Sequence, residues 1–232
     1  MTTRAVLFDM GNTLIKYDVE TEAEVFRRVL FSLGISKSVI EIKMAIMNAK
    51  QEAKDLDLLS LFGKMRCEEY WYRWDSLVLK HLNIDNDEIA KLVQTRWFDH
   101  LECSLFPEVK RVLLRLKQMG LKIGLVTTAY EEEIPLILGK ANLEIDMFDI
   151  IVGADTVKKV KPDPDVFRYA LKKLKVRPKE SLFIGDLIDA DYEGAEKVGI
   201  RAFLIKRKEA EGKKEIGLRT ITNLKEIFRY IE

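Results

Sequence analysis

The sequence predicts an α/β protein, a doubly wound parallel sheet with an all-helical domain inserted after its first strand. Two observations carry this reading. From residue 106 onward, short apolar runs of strand length alternate with amphipathic helical stretches. One further apolar run stands alone at the N-terminus, separated from the rest by residues 21–100, which show helical periodicity and no convincing strand.

In chain order, Ala5-Val6-Leu7-Phe8 has the length and composition of a buried strand, and it ends on Asp9-Met10-Gly11-Asn12-Thr13, where Gly-Asn marks a turn. Between residues 21 and 100, apolar positions recur at helical spacing: Val25, Val29, Leu30 and Leu33; Ile40, Ile42, Ala45, Ile46 and Ala49; Leu77, Leu82, Ile89, Leu92 and Val93. Gly34 and Gly63 punctuate a bundle of about four helices. The aromatic run Tyr70-Trp71-Tyr72-Trp74 reads as core of this bundle, since Tyr70 and Trp74 share a helix face. Glu108 to Met119 is an amphipathic helix with Gly120 just beyond its end. Leu121 to Val126 is a strand closing on Thr127-Thr128, and a helix follows before Ile150-Ile151-Val152-Gly153. Asp163-Pro164 opens another helix, with Asp as its N-cap and Pro in the first turn. Ser181 to Ile184 is a strand ending in Gly185-Asp186, a helix runs to Gly199, and Arg201 to Ile205 is the last core strand. Residues 206–217 form a charged surface loop. Residues 1–16 and 104–232 are therefore expected to build the α/β domain and 17–103 the helical one, with hinges near Tyr17-Asp18 and residues 101–106.

Composition narrows the function. Of 232 residues, 47% are hydrophobic and 33% charged, enough apolar material to bury a core. Thirty-nine basic residues against thirty-eight acidic ones give a net charge of +1, with no global field to draw the chain onto nucleic acid or an acidic membrane. Cys67 and Cys103 make neither a disulfide framework nor a zinc site, His81 and His100 are isolated, no apolar tract is long enough to span a bilayer, and Asp9 interrupts any signal-peptide core. A soluble cytoplasmic protein is the expectation. The scarcity of Gln beside abundant Lys and Glu leans toward a heat-adapted source.

The polar residues that follow the strands carry the chemistry. Asp9, Thr127, Lys161 and Asp186 each follow a different strand, and a parallel sheet delivers all such ends to its carboxyl edge. Asp9 and Asp186, with Asp191 five residues on, offer oxygen ligands for a hard cation. Mg²⁺ suits them, since it takes one or two carboxylates and completes its shell with water and substrate oxygens. Thr127, for which Thr128 is the alternative, and Lys161, in competition with Lys158 and Lys159, can hold phosphoryl oxygens. Spacing favours Asp191 over Asp189, which is better suited to starting the following helix.

Asp9-Met10-Gly11-Asn12-Thr13-Leu14, Val126-Thr127-Thr128, Lys161-Pro162-Asp163-Pro164 and Gly185-Asp186 through Asp191 together resemble the four motifs of the haloacid dehalogenase (HAD) superfamily of hydrolases, in order and at the right strand ends. The resemblance covers the first fifteen residues and the chain after about Phe106, and it makes the helical stretch the family's cap on a Rossmann-like core. It implies a Mg²⁺-dependent phosphatase acting on a small phosphorylated metabolite. Asp9 would attack phosphorus, Mg²⁺ would be held by Asp9, the Gly11 carbonyl and Asp186, and Thr127, Thr128 and Lys161 would bind the phosphoryl group. Asp191 would orient Lys161 or a metal-bound water.

One position departs from the family's pattern. Most phosphatases of the superfamily carry a second Asp two residues after the nucleophile as general acid and base, and here it is Gly11. Such a group is worth about 10²–10⁴ in rate. Either the substrate has a good leaving group, or another side chain substitutes, with Asp18, Tyr130 and Glu131 as candidates, or the chain is a weak or inactive relative. Two other readings compete: a metal-free 2-haloacid dehalogenase, for which Lys16 stands where an arginine is expected, and a non-catalytic binding protein on the same fold.

Overall fold

The structure is a computed structural model, and it describes residues 2–207 and 217–231. Most of the loop expected at 206–217 lies outside the described residues. The chain divides into two compact units, residues 1–16 with 104–232, and residues 17–103.

The first unit is built on strands β1 (Ala5–Phe8) and β2 (Ile15–Lys16). The second unit comprises helices α1 (Val19–Ser32), α2 (Val39–Asp55), α3 (Cys67–His81) and α4 (Asp87–His100). The first unit then resumes with β3 (Ser104–Leu105), α5 (Val109–Gln118), β4 (Lys122–Val126), α6 (Ile134–Lys140), β5 (Ile150–Val152), α7 (Pro164–Leu174), β6 (Ser181–Gly185), α8 (Gly194–Lys197), β7 (Arg201–Ile205) and β8 (Thr220–Ile221).

Six strands form one parallel sheet in the order β5-β4-β1-β6-β7-β8, while β2 and β3 pair as a separate antiparallel ribbon. The fold is the doubly wound α/β class that the alternating pattern predicts. After β1 the chain builds outward through β4 and β5, then crosses to the other side of β1 to lay down β6, β7 and β8. That reversal beside β1 opens a crevice at the carboxyl edge, where open α/β sheets bind their ligands. Strands β1, β4 and β6 run as near-continuous apolar segments because helices cover both sheet faces. One core layer packs Phe167, Ala170 and Leu171 of α7 against Phe183, Val126 and Leu7.

The helical unit has the expected four helices, with an additional short 3₁₀ turn at Leu58–Leu61. Asp18 and Ser38 start α1 and α2 through reciprocal capping boxes, and Asn86 caps α4. Tyr70 and Trp74 are buried, and Phe62 meets the Tyr70 ring edge-on at 4.7 Å. His81 bonds Glu52 at 2.9 Å within the bundle. Ile40 differs from its expected core position: α2 buries Ile42, Ala45, Ile46, Ala49 and Ala53, leaving Ile40 71% exposed on the opposite face.

Two details of the α/β unit also differ from the sequence pattern. A sixth strand, β8, extends the sheet beyond β7. The helix expected to start near Asp189 and run to Gly199 is instead a π-helical turn over Ile188–Glu193 leading into the single turn α8. Among the described residues, no helix is long and apolar enough to cross a membrane.

The end of β6 is sterically fixed. A Cβ at Gly185 would lie 2.3 Å from the Asp191 carboxyl carbon. The Gly185→Ala variant is therefore expected to lose about 1–3 kcal/mol in urea unfolding through overpacking. At Gly139 in α6 a Cβ meets nothing within 4 Å, so Gly139→Ala should be neutral or stabilising by up to about 1 kcal/mol. Equal losses at both positions would contradict this packing.

Candidate active site

Asp9 continues directly from β1, its amide donating to the Ile184 carbonyl at 2.9 Å, so the central strand pair aims it at the carboxyl edge. Beyond it the chain turns sharply. Leu14 and Ile15 donate to the Met10 carbonyl, Asn12 donates to the Ile15 carbonyl, and Asn12 takes a left-handed conformation at φ 50°. Asp186 follows β6, the neighbour of β1 on one side, and Thr127 follows β4, the neighbour on the other. Thr127 is buried, its amide donates to the Val152 carbonyl at 2.9 Å, and its Oγ1 accepts from the Ala129 amide at 3.3 Å. Thr128 is exposed.

Lys161 lies in the loop before α7, and its side chain is 2% exposed. Its Nζ donates to Asp9 Oδ1 at 2.6 Å and to Asp191 Oδ1 at 2.6 Å, while the Asp9 and Asp191 side chains are 9% and 1% exposed. Asp191 is further fixed by the Leu187 amide, which donates to Oδ2 at 3.1 Å. The competing residues go elsewhere. Lys159 pairs with Asp165 at 2.5 Å on the surface, Lys158 sits in a left-handed turn, and Asp189 is exposed. Asp186 stands beside Asp9 and Asp191, the three offering carboxylate oxygens that all lie within 4.8 Å of one another.

The electrostatics follow from that crowding. Burial pushes the Asp9 carboxyl up to about 6; the Lys161 ammonium opposes the shift and the Asp191 charge adds to it. Asp186 is pushed up to about 7 by burial and by the charges of Asp9 and Asp191. Burial alone would lower Lys161, but the two carboxylates that it touches outweigh this and hold it protonated. Three carboxylates facing one ammonium leave a charge of −2 when all are ionised (three negative, one positive). A donor set of hard oxygens with an unneutralised double negative charge fits a divalent cation of the Mg²⁺ kind.

Of the three candidates for a substitute general acid, Asp18 caps α1, accepting from the Thr21 amide at 3.1 Å. Tyr130 is fully buried, and Glu131 is exposed and accepts from Thr156 Oγ1 at 2.5 Å. Sequence reasoning also missed a buried ion pair beside the loop that follows Asp9, between Arg207 and Glu108. Its partners are ninety-nine positions apart, and no spacing pattern joins them.

The family model of haloacid dehalogenase-like hydrolases matches residues 3–199, most of the chain. The chain belongs to the haloacid dehalogenase superfamily. A glyceraldehyde 3-phosphate phosphatase from Methanopyrus kandleri is 28% identical over 209 residues, covering 88% of this chain and 84% of its own. The pyrophosphatase PpaX of Bacillus cereus is 32% identical over a shorter stretch, 44% of this chain and 50% of its own. Among solved structures, an HAD phosphatase from Thermococcus onnurineus superposes with a TM-score of 0.62 at 26% identity, over 98% of this chain and 97% of its own. The magnesium-bound HAD hydrolase YfnB from Bacillus subtilis superposes with a TM-score of 0.76 at 19% identity over the whole of both chains, a likeness of fold. This HAD chain is thus a hydrolase whose named relatives include phosphatases.

Asp186 lets the electrostatics be tested. Its carboxyl is raised to about 7 from an ordinary value of 3.8, so in metal-free protein its charge costs no stability near pH 4 and the full penalty above pH 7. Asp186→Asn is expected to raise the melting temperature in EDTA at pH 8, by about 2–4 °C for each kcal/mol of repulsion relieved, with the gain shrinking as pH falls toward 4. Added Mg²⁺ should stabilise the wild type and not the variant. A variant less stable than wild type in EDTA at pH 8 would contradict the charge crowding.

Proposed function

We propose that the chain is a Mg²⁺-dependent phosphatase that hydrolyses a small phosphorylated metabolite through a phosphoryl-aspartate on Asp9. The observation that carries this reading is Lys161, buried and bonded to Asp9 and Asp191 at 2.6 Å each, beside a third carboxylate, Asp186, whose oxygens lie within 4.8 Å of theirs.

In this reading Asp9 is the nucleophile. One of its carboxylate oxygens bonds to phosphorus as the ester oxygen departs, and water then attacks the phosphoryl-aspartate to release phosphate and restore the carboxylate. Lys161 holds Asp9 in place and faces the charge of the bound phosphoryl group, with Asp191 fixing the ammonium from its other side. Thr127, one strand away, donates its hydroxyl to a phosphoryl oxygen, and Thr128 adds to the same end of the site. Asp9, the Gly11 carbonyl and Asp186 would hold Mg²⁺, which supplies charge neutralisation for the phosphoryl oxygens. The substrate class is supported by relatives named for a phosphorylated triose and for pyrophosphate. Residues 17–103 are assigned the part of the family's cap domain.

Gly11 gives this site no side chain with which to protonate the departing oxygen. Substrates with poor leaving groups therefore bear the cost themselves. The crowded third carboxylate favours a metal-dependent site over metal-free dehalogenation at carbon.

Turnover of p-nitrophenyl phosphate is expected to need Mg²⁺ and to fall by at least about 10³ in Asp9→Asn, a loss of more than about 4 kcal/mol in transition-state stabilisation. Aryl phosphates should be hydrolysed faster than alkyl phosphates by about 10²–10⁴, the rate that a missing general acid forgoes. Metal-independent turnover, or activity retained in Asp9→Asn, would contradict the assignment, and so would halide release from a 2-haloacid.

A further inference from the structure

Arg207 follows β7, and its side chain is 8% exposed. It is held on three sides. Its guanidinium pairs with Glu108, itself 4% exposed, donates to the Thr13 backbone carbonyl, and lies 3.8 Å over the Phe106 ring. Glu108 also accepts from the Leu224 amide at 3.3 Å, which ties in the C-terminal 3₁₀ segment Leu224–Arg229. Phe106 donates its amide to the Leu14 carbonyl at 3.1 Å. Two segments, the Thr13 loop and Phe106–Glu108, thus meet at one guanidinium, and a third, at Leu224, joins through Glu108; Arg207 and Phe106 both bind the loop that follows Asp9.

Stability alone does not explain the arrangement. Burial lowers Arg207 from its ordinary value, with Glu108 opposing, and among the described residues Arg207 Nε and Thr13 Oγ1 have no hydrogen-bond partner. A buried ion pair with an unsatisfied donor gives little net stabilisation compared with an apolar replacement. What the pair supplies is geometry: a rigid planar fork gripping a carbonyl four residues from the nucleophile.

We infer that Arg207, braced by Glu108 and Phe106, is a positioning residue that fixes the loop Met10–Leu14 through the Thr13 carbonyl, and thereby sets the reactivity of Asp9 without touching the substrate. The catalytic part of this inference rests on the phosphatase reading above; the structural part, loop order controlled from Arg207, does not. The loop holds both Gly11, whose carbonyl that reading gives to Mg²⁺, and the chain direction that aims Asp9. Displacing a reacting group by about 1 Å costs about a hundredfold in rate, so loosening this grip should act on turnover more than on binding.

The test uses the full chain and the variants Arg207→Met, Arg207→Lys and Glu108→Gln. Hydrogen exchange in EDTA reads the Asn12, Leu14 and Ile15 amides, which close the loop, against the amides of β1 and β6. Arg207→Met is expected to speed exchange at the loop amides alone, to lower kcat on p-nitrophenyl phosphate by about tenfold to a hundredfold with KM little changed, and to weaken the Mg²⁺ half-saturation of thermal stabilisation. Arg207→Lys should recover part of the loss, since it keeps the charge but not the fork, and Glu108→Gln should show a milder form of the same pattern. Unchanged loop exchange overturns the inference, as does acceleration spread evenly over β1 and β6 with kcat intact, which is the mark of a merely structural ion pair. If the wild type fails to hydrolyse the ester, the phosphatase reading falls, and the exchange pattern still decides whether Arg207 controls the loop.

Discussion

A buried ammonium held between two buried carboxylates is the constraint around which the α/β unit is arranged. Lys161 touches Asp9 and Asp191 at equal distances, and all three side chains are nearly withdrawn from water. Removing such charges from solvent is costly unless each finds a partner. Lys161 satisfies one negative charge and leaves the set short of positive charge once Asp186 is counted. Burial first, and the neighbouring carboxylates after it, keep the Asp9 and Asp186 carboxyls above their ordinary values. A carboxylate cluster in this condition fits a divalent cation, which is the basis of the proposed metal-dependent phosphatase.

The sheet makes the arrangement possible. Asp9, Thr127 and Asp186 come from three adjacent strands, β4, β1 and β6, whose parallel register delivers every end to the same edge. The glycine that closes β6 exists for the same purpose, since a side chain at Gly185 would occupy the space of the Asp191 carboxylate. The π-helical turn over Ile188–Glu193 then brings Asp191 back over the strand end, where the Leu187 amide secures it. Arg207, paired with Glu108, bonds the Thr13 carbonyl in the loop that follows Asp9. The stability spent on crowding like charges at this edge is offset by the apolar layers beneath it, where Phe167 and Phe183 pack edge to face.

Much of this was legible in the chain itself, for identifiable reasons. Strands such as Ala5–Phe8 and Ser181–Gly185 are buried on both faces, so they appear as unbroken apolar runs, and acid residues just after them stand out. Lys161 could be singled out from Lys158 and Lys159 because a flanking Pro-Asp-Pro sequence marks where the loop ends and α7 begins. What escaped the sequence was decided by tertiary contacts. The two residues of β8 are too few to show a period, and Ile40 has the spacing of a core residue yet lies on the open face of α2. Asp18 is next to the first motif in sequence, but its side chain is used to start a helix. The Arg207–Glu108 pair joins positions that only the folded sheet brings together.

The most direct measurement is rapid acid quenching of the enzyme during turnover of a phosphate ester, followed by peptide mapping by mass spectrometry. A phosphoryl group is expected on the peptide containing Asp9, labile to hydroxylamine and absent from Asp9→Asn. Steady turnover with the phosphoryl group on a different residue, or with Asp9→Asn as active as the wild type, would contradict it.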